Sequence, residues 1–258
     1  MSRPLKILAV GNSFSVDCMQ YLAQIARACG HVVVLGNLYI GGCSLQRHYD
    51  NAQTSAKDYL YYKTTDGVWT ETPAFALETG LGDEDWDIVV MQQASHDSGI
   101  PETYVCLPAL VGFIRTHLPE ARLFWNMTWA YQQDSTHAEF PRYGSDQTRM
   151  YTAIVDCIGR CIDPLGVYET IIPTGTAVQN ARGSFLGDTL TRDGYHLDLT
   201  TGRLLAGMTW YAAITDQSTG AISFNPAPEI ITPRILALLQ ESAANALAHP
   251  RTITPSVP

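Results

Sequence analysis

The stretch LKILAVGNSFS, residues 5–15, decides the fold class of this chain. Its first six residues are apolar except for Lys6, which is typical of a short strand buried on both faces of a sheet. The next three residues, GNS, interrupt that pattern, and a helical pattern follows over residues 17–29. A strand, a tight polar turn and a helix in this order indicate an α/β protein with a parallel sheet.

The same alternation of short apolar runs and longer helical patterns continues along the chain. The predicted strands are residues 5–10, 32–39, 87–91, 121–127 and 167–172, and the predicted helices are residues 17–29, 102–118, 146–161, 199–214 and 233–247. Residues 59–73 break the alternation and predict an inserted β-hairpin that turns at Asp66-Gly67. No linker or repeat divides the chain, so we predict one domain over residues 1–248 and a loose tail over residues 249–258.

The composition excludes several classes of protein. Hydrophobic residues make up 46% of the 258 residues and charged residues 16%, which excludes global disorder. The net charge is −9 without a basic cluster, which argues against a nucleic-acid partner. No run approaches the roughly 20 apolar residues of a membrane span, so we expect no membrane partner. We expect a cytoplasmic protein; an exported form without its leader and the oligomeric state stay open.

The polar turn after the first strand places serines where open α/β sheets bind ligands, beyond the carboxyl ends of the strands. Ser13 and Ser15 are therefore either a nucleophile and its neighbour or simply helix-capping residues. The glycine fingerprint of dinucleotide-binding proteins is absent, and so is the Gly-x-Ser-x-Gly motif of α/β-hydrolases.

A serine nucleophile needs a histidine base and a carboxylate that orients the base. Two Asp-x-x-His motifs offer such a pair, Asp134 with His137 and Asp193 with His196. The first follows the fourth predicted strand and the second follows the last strand, so both lie on the same side as the serines. The spacing alone leaves both pairs open.

Two further strand ends carry groups that could stabilise an oxyanion. Gly41-Gly42 follows the second strand, and a backbone N–H next to glycine can be approached closely by a ligand. Gln92-Gln93 follows the third strand and offers side-chain amides. Neighbouring strand residues face opposite sides, so at most one of the two glutamines should face the site.

Together these strand ends resemble the SGNH, or GDSL-type, hydrolases. GNSFS is similar to their first block, Gly-Asp-Ser-x-Ser, with Asn12 in place of the usual Asp. Gly42 is similar to the glycine of their second block. Residues 193–196 resemble their last block, Asp-x-x-His. Within that superfamily, GNSFS, YIGGCSL and QQAS resemble a bacterial branch known as a domain of unknown function, DUF4886. The resemblance implies a three-layer α/β/α sandwich with a five-stranded parallel sheet.

The resemblance also implies a mechanism that needs no metal and no cofactor. Ser13 is the implied nucleophile, His196 its base and Asp193 the residue that holds the imidazole. The backbone N–H groups of Ser13 and Gly42 are the implied oxyanion donors, and activity is expected to rise with pH as the base loses its proton.

The third block is where the sequence departs from the superfamily. Its pattern, Gly-x-Asn-Asp, supplies an asparagine to the oxyanion, whereas residues 91–97 contain no asparagine. Some carbohydrate acetylesterases of the superfamily carry glutamine in this block, so we predict Gln93 as the third donor, with Gln92 and Ser95 as alternatives.

The expected substrate is an ester of a short acyl group, acetyl above all, with a carbohydrate or a similar polar alcohol. Trp129 and Tyr131 are predicted to contact it because aromatic side chains combine an apolar face with a polar group. Further substrate-binding candidates are Asn12, Gln92 and Ser95. Two alternatives stay open: a carbohydrate-binding protein without turnover, and an acyltransferase that uses Ser13.

Overall fold

The computed structural model of the protein describes residues 3–256. Within them a seven-stranded sheet has the order β4-β3-β2-β1-β5-β6-β7. Strands β2, β1, β5, β6 and β7 are parallel, and they agree closely with the five predicted strands. The strands are β1 (Leu5–Gly11), β2 (Val33–Tyr39), β3 (Tyr59–Thr64), β4 (Thr70–Phe75), β5 (Ile88–Met91), β6 (Arg122–Asn126) and β7 (Tyr168–Ile172).

The predicted hairpin is part of this sheet, so the expected five-stranded parallel sheet is a seven-stranded mixed sheet. Strand β3 pairs antiparallel with β2, from Leu35 opposite Thr64 to Tyr39 opposite Leu60, and β4 pairs with β3. Tyr59 and Tyr61 of β3 are buried. The hairpin thereby covers the edge of β2, whose backbone groups would otherwise lack partners.

Helices cover both faces of the sheet. Helices α3, α4 and α5 contact one another, and α8 contacts α1, α2, α7 and α9, so the fold has three layers. The helices are α1 (Ser13–Met19), α2 (Leu22–Ala28), α3 (Leu45–Thr54), α4 (Leu77–Leu81), α5 (Leu107–His117), α6 (Gln147–Cys157), α7 (Thr174–Arg182), α8 (Thr201–Thr215) and α9 (Pro233–Ala248). None of the helices within residues 3–256 has the length and apolar character needed to cross a lipid bilayer.

The helix predictions need three corrections. The single helix predicted over residues 17–29 is two helices, and the first begins earlier, at Ser13, because Asn12 caps it. Helices α3 and α4 were missed because α3 is mainly polar and α4 has only five residues. Helix α7 was missed because it is short and all nine of its residues are buried, including Gln179, Asn180 and Arg182, so its polar residues do not mark a side that faces solvent.

The tail predicted as loose is packed as far as residue 256. Thr254 N–H donates to Asn180 Oδ1 at 2.7 Å, and Ser256 Oγ lies 2.8 Å from Ser242 Oγ. These contacts join the tail to α7 and α9. The prediction for residues 257–258 lies outside the described residues.

His48 is expected to make the stability of the protein depend on pH. Its side chain is fully buried in α3, with Nδ1 2.9 Å from Tyr59 Oη. Burial, with the nearby charge of Arg47, lowers the His48 pKa from 6.5 to about 3. The folded protein therefore holds His48 in its neutral form. The contribution of this preference to the free energy of unfolding is complete above pH 6.5. It is lost by up to about 1.4 kcal/mol per pH unit as the pH falls towards 3.

Urea unfolding at pH 7 and pH 5 tests this expectation. Between these two pH values, His48→Gln should lose less unfolding free energy than the parent, by about 2 kcal/mol. His117→Gln is the control because His117 is exposed. Equal losses in all three proteins would contradict the assignment.

Candidate active site

Ser13 lies at the junction of β1 and α1, at the carboxyl edge of the sheet. Asn12 caps the helix: its Oδ1 accepts the Phe14 N–H at 3.1 Å. Its Nδ2 donates to the Cys43 carbonyl at 3.1 Å and so ties the loop after β2 to the serine. Asn12 is 1% exposed. It therefore positions Ser13 and the loop from inside the protein and is not available to a substrate.

Ser13, His196 and Asp193 form one chain of hydrogen bonds. Ser13 Oγ is 2.8 Å from His196 Nε2, and His196 Nδ1 is 2.7 Å from Asp193 Oδ2. A carboxylate only accepts hydrogen bonds, so Nδ1 carries the proton and Nε2 is free to accept from the serine hydroxyl. Of the two Asp-x-x-His motifs, this is the pair that reaches Ser13.

The loop that contains Asp193 orients its carboxylate as a hydrogen-bond acceptor. Its Oδ1 accepts the backbone N–H groups of His196 at 2.8 Å and Tyr195 at 3.2 Å. Partial burial raises the pKa of this carboxyl, but the hydrogen bonds from the His196 ring and from the two N–H groups outweigh it. The net effect lowers the Asp193 pKa, so the group is a carboxylate at neutral pH.

Asp17, which the sequence analysis did not select, anchors this loop to α1. The side chain is fully buried and accepts the Leu197 N–H at 2.9 Å. It also pairs with Arg203 at 2.8 Å and with Arg192 at 3.1 Å. A signal existed in the sequence: Asp17 is an acidic residue one helical turn after Ser13, on the same helix face.

Trp129 and Tyr131 lie beneath the site rather than on its surface. Both side chains are 0% exposed, so neither offers a face to a substrate as predicted. The Trp129 ring stacks on Phe14 with centroids 3.9 Å apart, and its Nε1 donates to the Tyr195 carbonyl at 2.7 Å. Trp129 thus supports the segment next to His196, because it packs between that segment and α1.

The loop after β2 brings Gly42 to the same cleft as Ser13. Gly42 has a φ of +60°, in the left-handed region that favours glycine. Within residues 3–256, no acceptor pairs with the backbone N–H of Gly42 or of Ser13. Because an oxyanion needs unpaired donors, the N–H groups of Gly42 and Ser13 are candidates for binding one in this cleft.

The two glutamines after β5 are engaged inside the protein. Gln92 Nε2 donates to Asn12 Oδ1 at 2.8 Å, and Gln92 Oε1 accepts from Asn126 Nδ2 at 2.9 Å. Gln93 Nε2 donates to the carbonyl and hydroxyl oxygens of Thr103, both at 3.1 Å. Both side chains are 1% exposed. The amide of Gln93 therefore bonds Thr103 and is not free to bind an oxyanion, which is the role predicted for it.

Of the three donors considered for the third block, Ser95 is the one that lines the cleft. It follows the glutamines in a short 3₁₀ turn, and its Oγ lies 2.8 Å from Tyr131 Oη. The sequence pattern alone did not favour it, because two glutamines precede it on the same strand end.

The second Asp-x-x-His motif is not a pair in the structure. Asp134 accepts from Gln132 Nε2 at 2.8 Å, whereas His137 Nδ1 accepts the Glu139 N–H at 3.2 Å. His137 lines the same cleft, where its ring contacts Tyr195 at a centroid distance of 4.7 Å. Burial, followed by the charge of His96, lowers the His137 pKa, so its ring is neutral at pH 7.

The cleft that these residues share has a volume of about 590 Å³. Its far wall is charged: Arg142 pairs with Asp97 at 2.8 Å and with Glu139 at 3.4 Å. Tyr39 forms part of the wall beside Gly42. The cleft therefore combines the serine, two unpaired N–H donors and a polar rim.

Comparison with known proteins identifies the family. The family model described as "Domain of unknown function (DUF4886)" matches residues 6–246. The chain belongs to the DUF4886 family. A DUF4886 protein from Bacteroides uniformis is 43% identical in sequence, with 98% of each chain covered and a TM-score of 0.93. No curated protein matches the chain.

More distant solved structures relate this DUF4886 chain to the SGNH hydrolases by fold. A candidate SGNH hydrolase from Slackia heliotrinireducens has a TM-score of 0.54 at 20% identity and covers 82% of this chain and 100% of its own. A family 3 carbohydrate esterase from Talaromyces cellulolyticus has a TM-score of 0.51 at 12% identity, with coverages of 82% and 97%. The α/β fold of the DUF4886 chain is thus similar to that of SGNH hydrolases and carbohydrate esterases.

Proposed function

We propose that the protein is a serine esterase that hydrolyses short acyl esters of a polar alcohol, with acetyl as the preferred acyl group. The observation that carries the proposal is the position of His196, 2.8 Å from Ser13 Oγ and 2.7 Å from Asp193. This is the geometry in which imidazole removes a proton from serine and a carboxylate holds the imidazole.

The proposed reaction has two halves. His196 Nε2 takes the Ser13 proton while Oγ attacks the ester carbonyl, and the resulting oxyanion is bound by the N–H groups of Ser13 and Gly42. The protonated His196 then gives its proton to the alcohol as the C–O bond breaks, which leaves an acyl-serine. Water, deprotonated by His196, attacks this acyl group and releases the carboxylic acid and free Ser13.

The charged residues at the rim of the cleft favour a polar alcohol as the leaving group of the substrate. The side chains of Asp97, Glu139 and Arg142 face the cleft, and a long alkyl chain beside them would strip water from charged groups without replacing their hydrogen bonds. The similarity in fold to a carbohydrate esterase agrees with an acylated carbohydrate as the substrate.

Ser95 takes the place of Gln93 as the proposed third oxyanion donor. The Glu139 N–H donates to His137 Nδ1, so the proton of the neutral ring is on Nε2, 3.5 Å from Tyr131 Oη. In the proposed arrangement Tyr131 donates its own proton to Ser95 Oγ, which lies 2.8 Å away. Burial raises the Tyr131 pKa, so its hydroxyl keeps that proton. The Ser95 proton is left for the oxyanion.

Ser95→Ala is expected to lower kcat for p-nitrophenyl acetate by about 100-fold with little change in KM, because the donor acts mainly in the transition state. Tyr131→Phe should lower kcat by about 10-fold, since Ser95 stays but loses its orientation. Steady-state kinetics measure both effects. Ser98→Ala is the matched control, because Ser98 is a buried serine whose hydroxyl bonds the Ala94 carbonyl. Equal activity in Ser95→Ala and Ser98→Ala would contradict the role of Ser95.

A fluorophosphonate probe tests the proposed chemistry directly. Such probes phosphonylate a serine only when a base and an oxyanion site activate it. Intact mass spectrometry should show one adduct, and peptide mapping should place it on Ser13. Asp193→Asn should slow the labelling strongly, because the imidazole loses the carboxylate that fixes its tautomer. An unlabelled protein, or an adduct on another serine, would contradict the proposal.

A further inference from the structure

A second cavity lies between α1 and the hairpin formed by β3 and β4. Its volume is about 150 Å³, and its lining is distinct from that of the Ser13 cleft. We call it the hairpin cavity, and it is lined by Val16, Met19, Gln20, Asn37, Tyr62 and Trp69. None of these six side chains carries a formal charge, so the cavity suits a neutral ligand.

Asn37 gives the hairpin cavity a polar group that has no protein partner. The residue is 1% exposed and lies in β2, where its backbone is paired with Ala9 of β1 and Tyr62 of β3. Only its side chain can therefore reach the cavity. One end of its amide bonds Ser15 Oγ at 2.9 Å, and within residues 3–256 the other end has no partner. A ligand hydroxyl, which both donates and accepts, satisfies that end in either orientation of the amide.

Two aromatic side chains form the outer walls of the hairpin cavity. Tyr62 and Trp69 are both partly exposed, whereas the other four tryptophans are at most 3% exposed. Val16 and Met19 of α1 are also part of the lining. Aromatic faces with a few placed polar groups are typical of sites for small polar-apolar ligands. The volume lies below the roughly 300–1,000 Å³ of pockets for drug-sized ligands, which limits the occupant to about one ring.

The hairpin cavity and the Ser13 cleft are neighbours, because each is lined by one tyrosine of a contacting pair. Tyr39 lines the cleft, Tyr62 lines the cavity, and their ring centroids are 5.7 Å apart. We propose that the hairpin cavity binds a neutral sugar ring and is a distal subsite for the carbohydrate part of the ester substrate. This inference rests on the proposed function. In it, the acyl group of the substrate binds in the Ser13 cleft, and the attached saccharide extends past Tyr39 to the hairpin cavity.

Binding can be measured without turnover in Ser13→Ala protein. Among the described residues, Trp69 is the tryptophan that is accessible to solvent. A ligand in the cavity should therefore change the tryptophan fluorescence and protect Trp69 from quenching by acrylamide. Xylose and xylo-oligosaccharides of two to six units are the probes. The expected result is saturable protection that strengthens with chain length, and calorimetry on Trp69→Ala should show affinity lowered by about 10-fold.

Kinetics separate this subsite from the proposed chemistry. For acetylated xylotetraose, Trp69→Ala should raise KM by about 10-fold with kcat unchanged, whereas p-nitrophenyl acetate, which is too short to reach the cavity, should be unaffected. Val68→Ala is the matched control, because Val68 is the exposed neighbour in the same turn. Esterase activity with no effect of Trp69→Ala on any saccharide would overturn the subsite and leave the esterase proposal intact. Saccharide binding that depends on Trp69, in a protein without esterase activity, would leave the subsite and overturn the esterase.

Discussion

Ser13→Ala is expected to lower kcat for p-nitrophenyl acetate by at least ~10⁴-fold. The hydroxyl is the atom that forms the acyl bond, and His196 Nε2 lies 2.8 Å from it with no other nucleophile in the hydrogen-bonded chain. The loss should appear in kcat and in kcat/KM together, because the acyl-enzyme no longer forms. Release of p-nitrophenol from acetate and butyrate esters measures it.

Ser15→Ala is the matched control from the same motif. Its hydroxyl bonds the Asn12 carbonyl at 2.7 Å and Asn37 at 2.9 Å, inside the protein. The loss of these hydrogen bonds is expected to cost stability by about 1–3 kcal/mol and to leave turnover within about 10-fold of the parent. If Ser13→Ala and the parent hydrolysed both esters at the same rate, the esterase proposal would fail, and a carbohydrate-binding protein would become the next hypothesis.

Asp17→Asn is expected to lower the free energy of unfolding by about 3–5 kcal/mol, because it removes one charge from a buried ionic cluster. Asp17 is 0% exposed and is paired with Arg192 and Arg203. An asparagine keeps the shape but leaves two guanidinium groups without their carboxylate. Urea or thermal unfolding at pH 7 measures the loss.

The same change should also lower kcat, because Asp17 holds the Leu197 N–H and thereby the segment that carries His196. Asp163→Asn is the control: it removes the 2.7 Å pair with Arg251, in which both side chains are about 40% exposed. An exposed pair contributes at most about 1 kcal/mol. If the two variants unfolded at the same denaturant concentration, Asp17 would not be the anchor that its contacts indicate.

The class of the fold was predictable because its signals are local. Each buried parallel strand is a short apolar run, as in LKILAV, and each polar interruption marks the carboxyl end of a strand. Helices α3 and α7 could not be predicted in this way. Helix α3 is mainly polar, and helix α7, from Thr174 to Arg182, buries polar residues such as Asn180 together with its apolar ones.

The hairpin shows what local signals leave open. Its turn at Asp66-Gly67 and its alternating tyrosines predicted two strands, but no local feature specified their partner. Strand β3 pairs with β2 because β2 would otherwise be an exposed edge, and that is a property of the assembled sheet.

The candidate site was also predictable from the sequence only in part. Ser13, Gly42, Asp193 and His196 were recognisable from motifs, because a fixed chemistry needs fixed residue types at strand ends. Their distances, such as 2.8 Å between Ser13 and His196, come from the fold. The third donor could not be selected from the sequence, since Gln93 and Ser95 both carry a hydrogen-bond donor and only the fold decides which of them faces the cleft.

By itself the sequence determined the α/β class with its five parallel strands, the residue types at the strand ends and the family resemblance. The tertiary structure alone decided that Trp129 and Tyr131 are buried supports, that Gln93 bonds Thr103, and that Asp17 anchors the His196 loop. The physical reason is that a motif records which groups a chain carries. Burial and hydrogen-bond partners depend on contacts between segments far apart in sequence, such as the pair of Asp17 and Arg203.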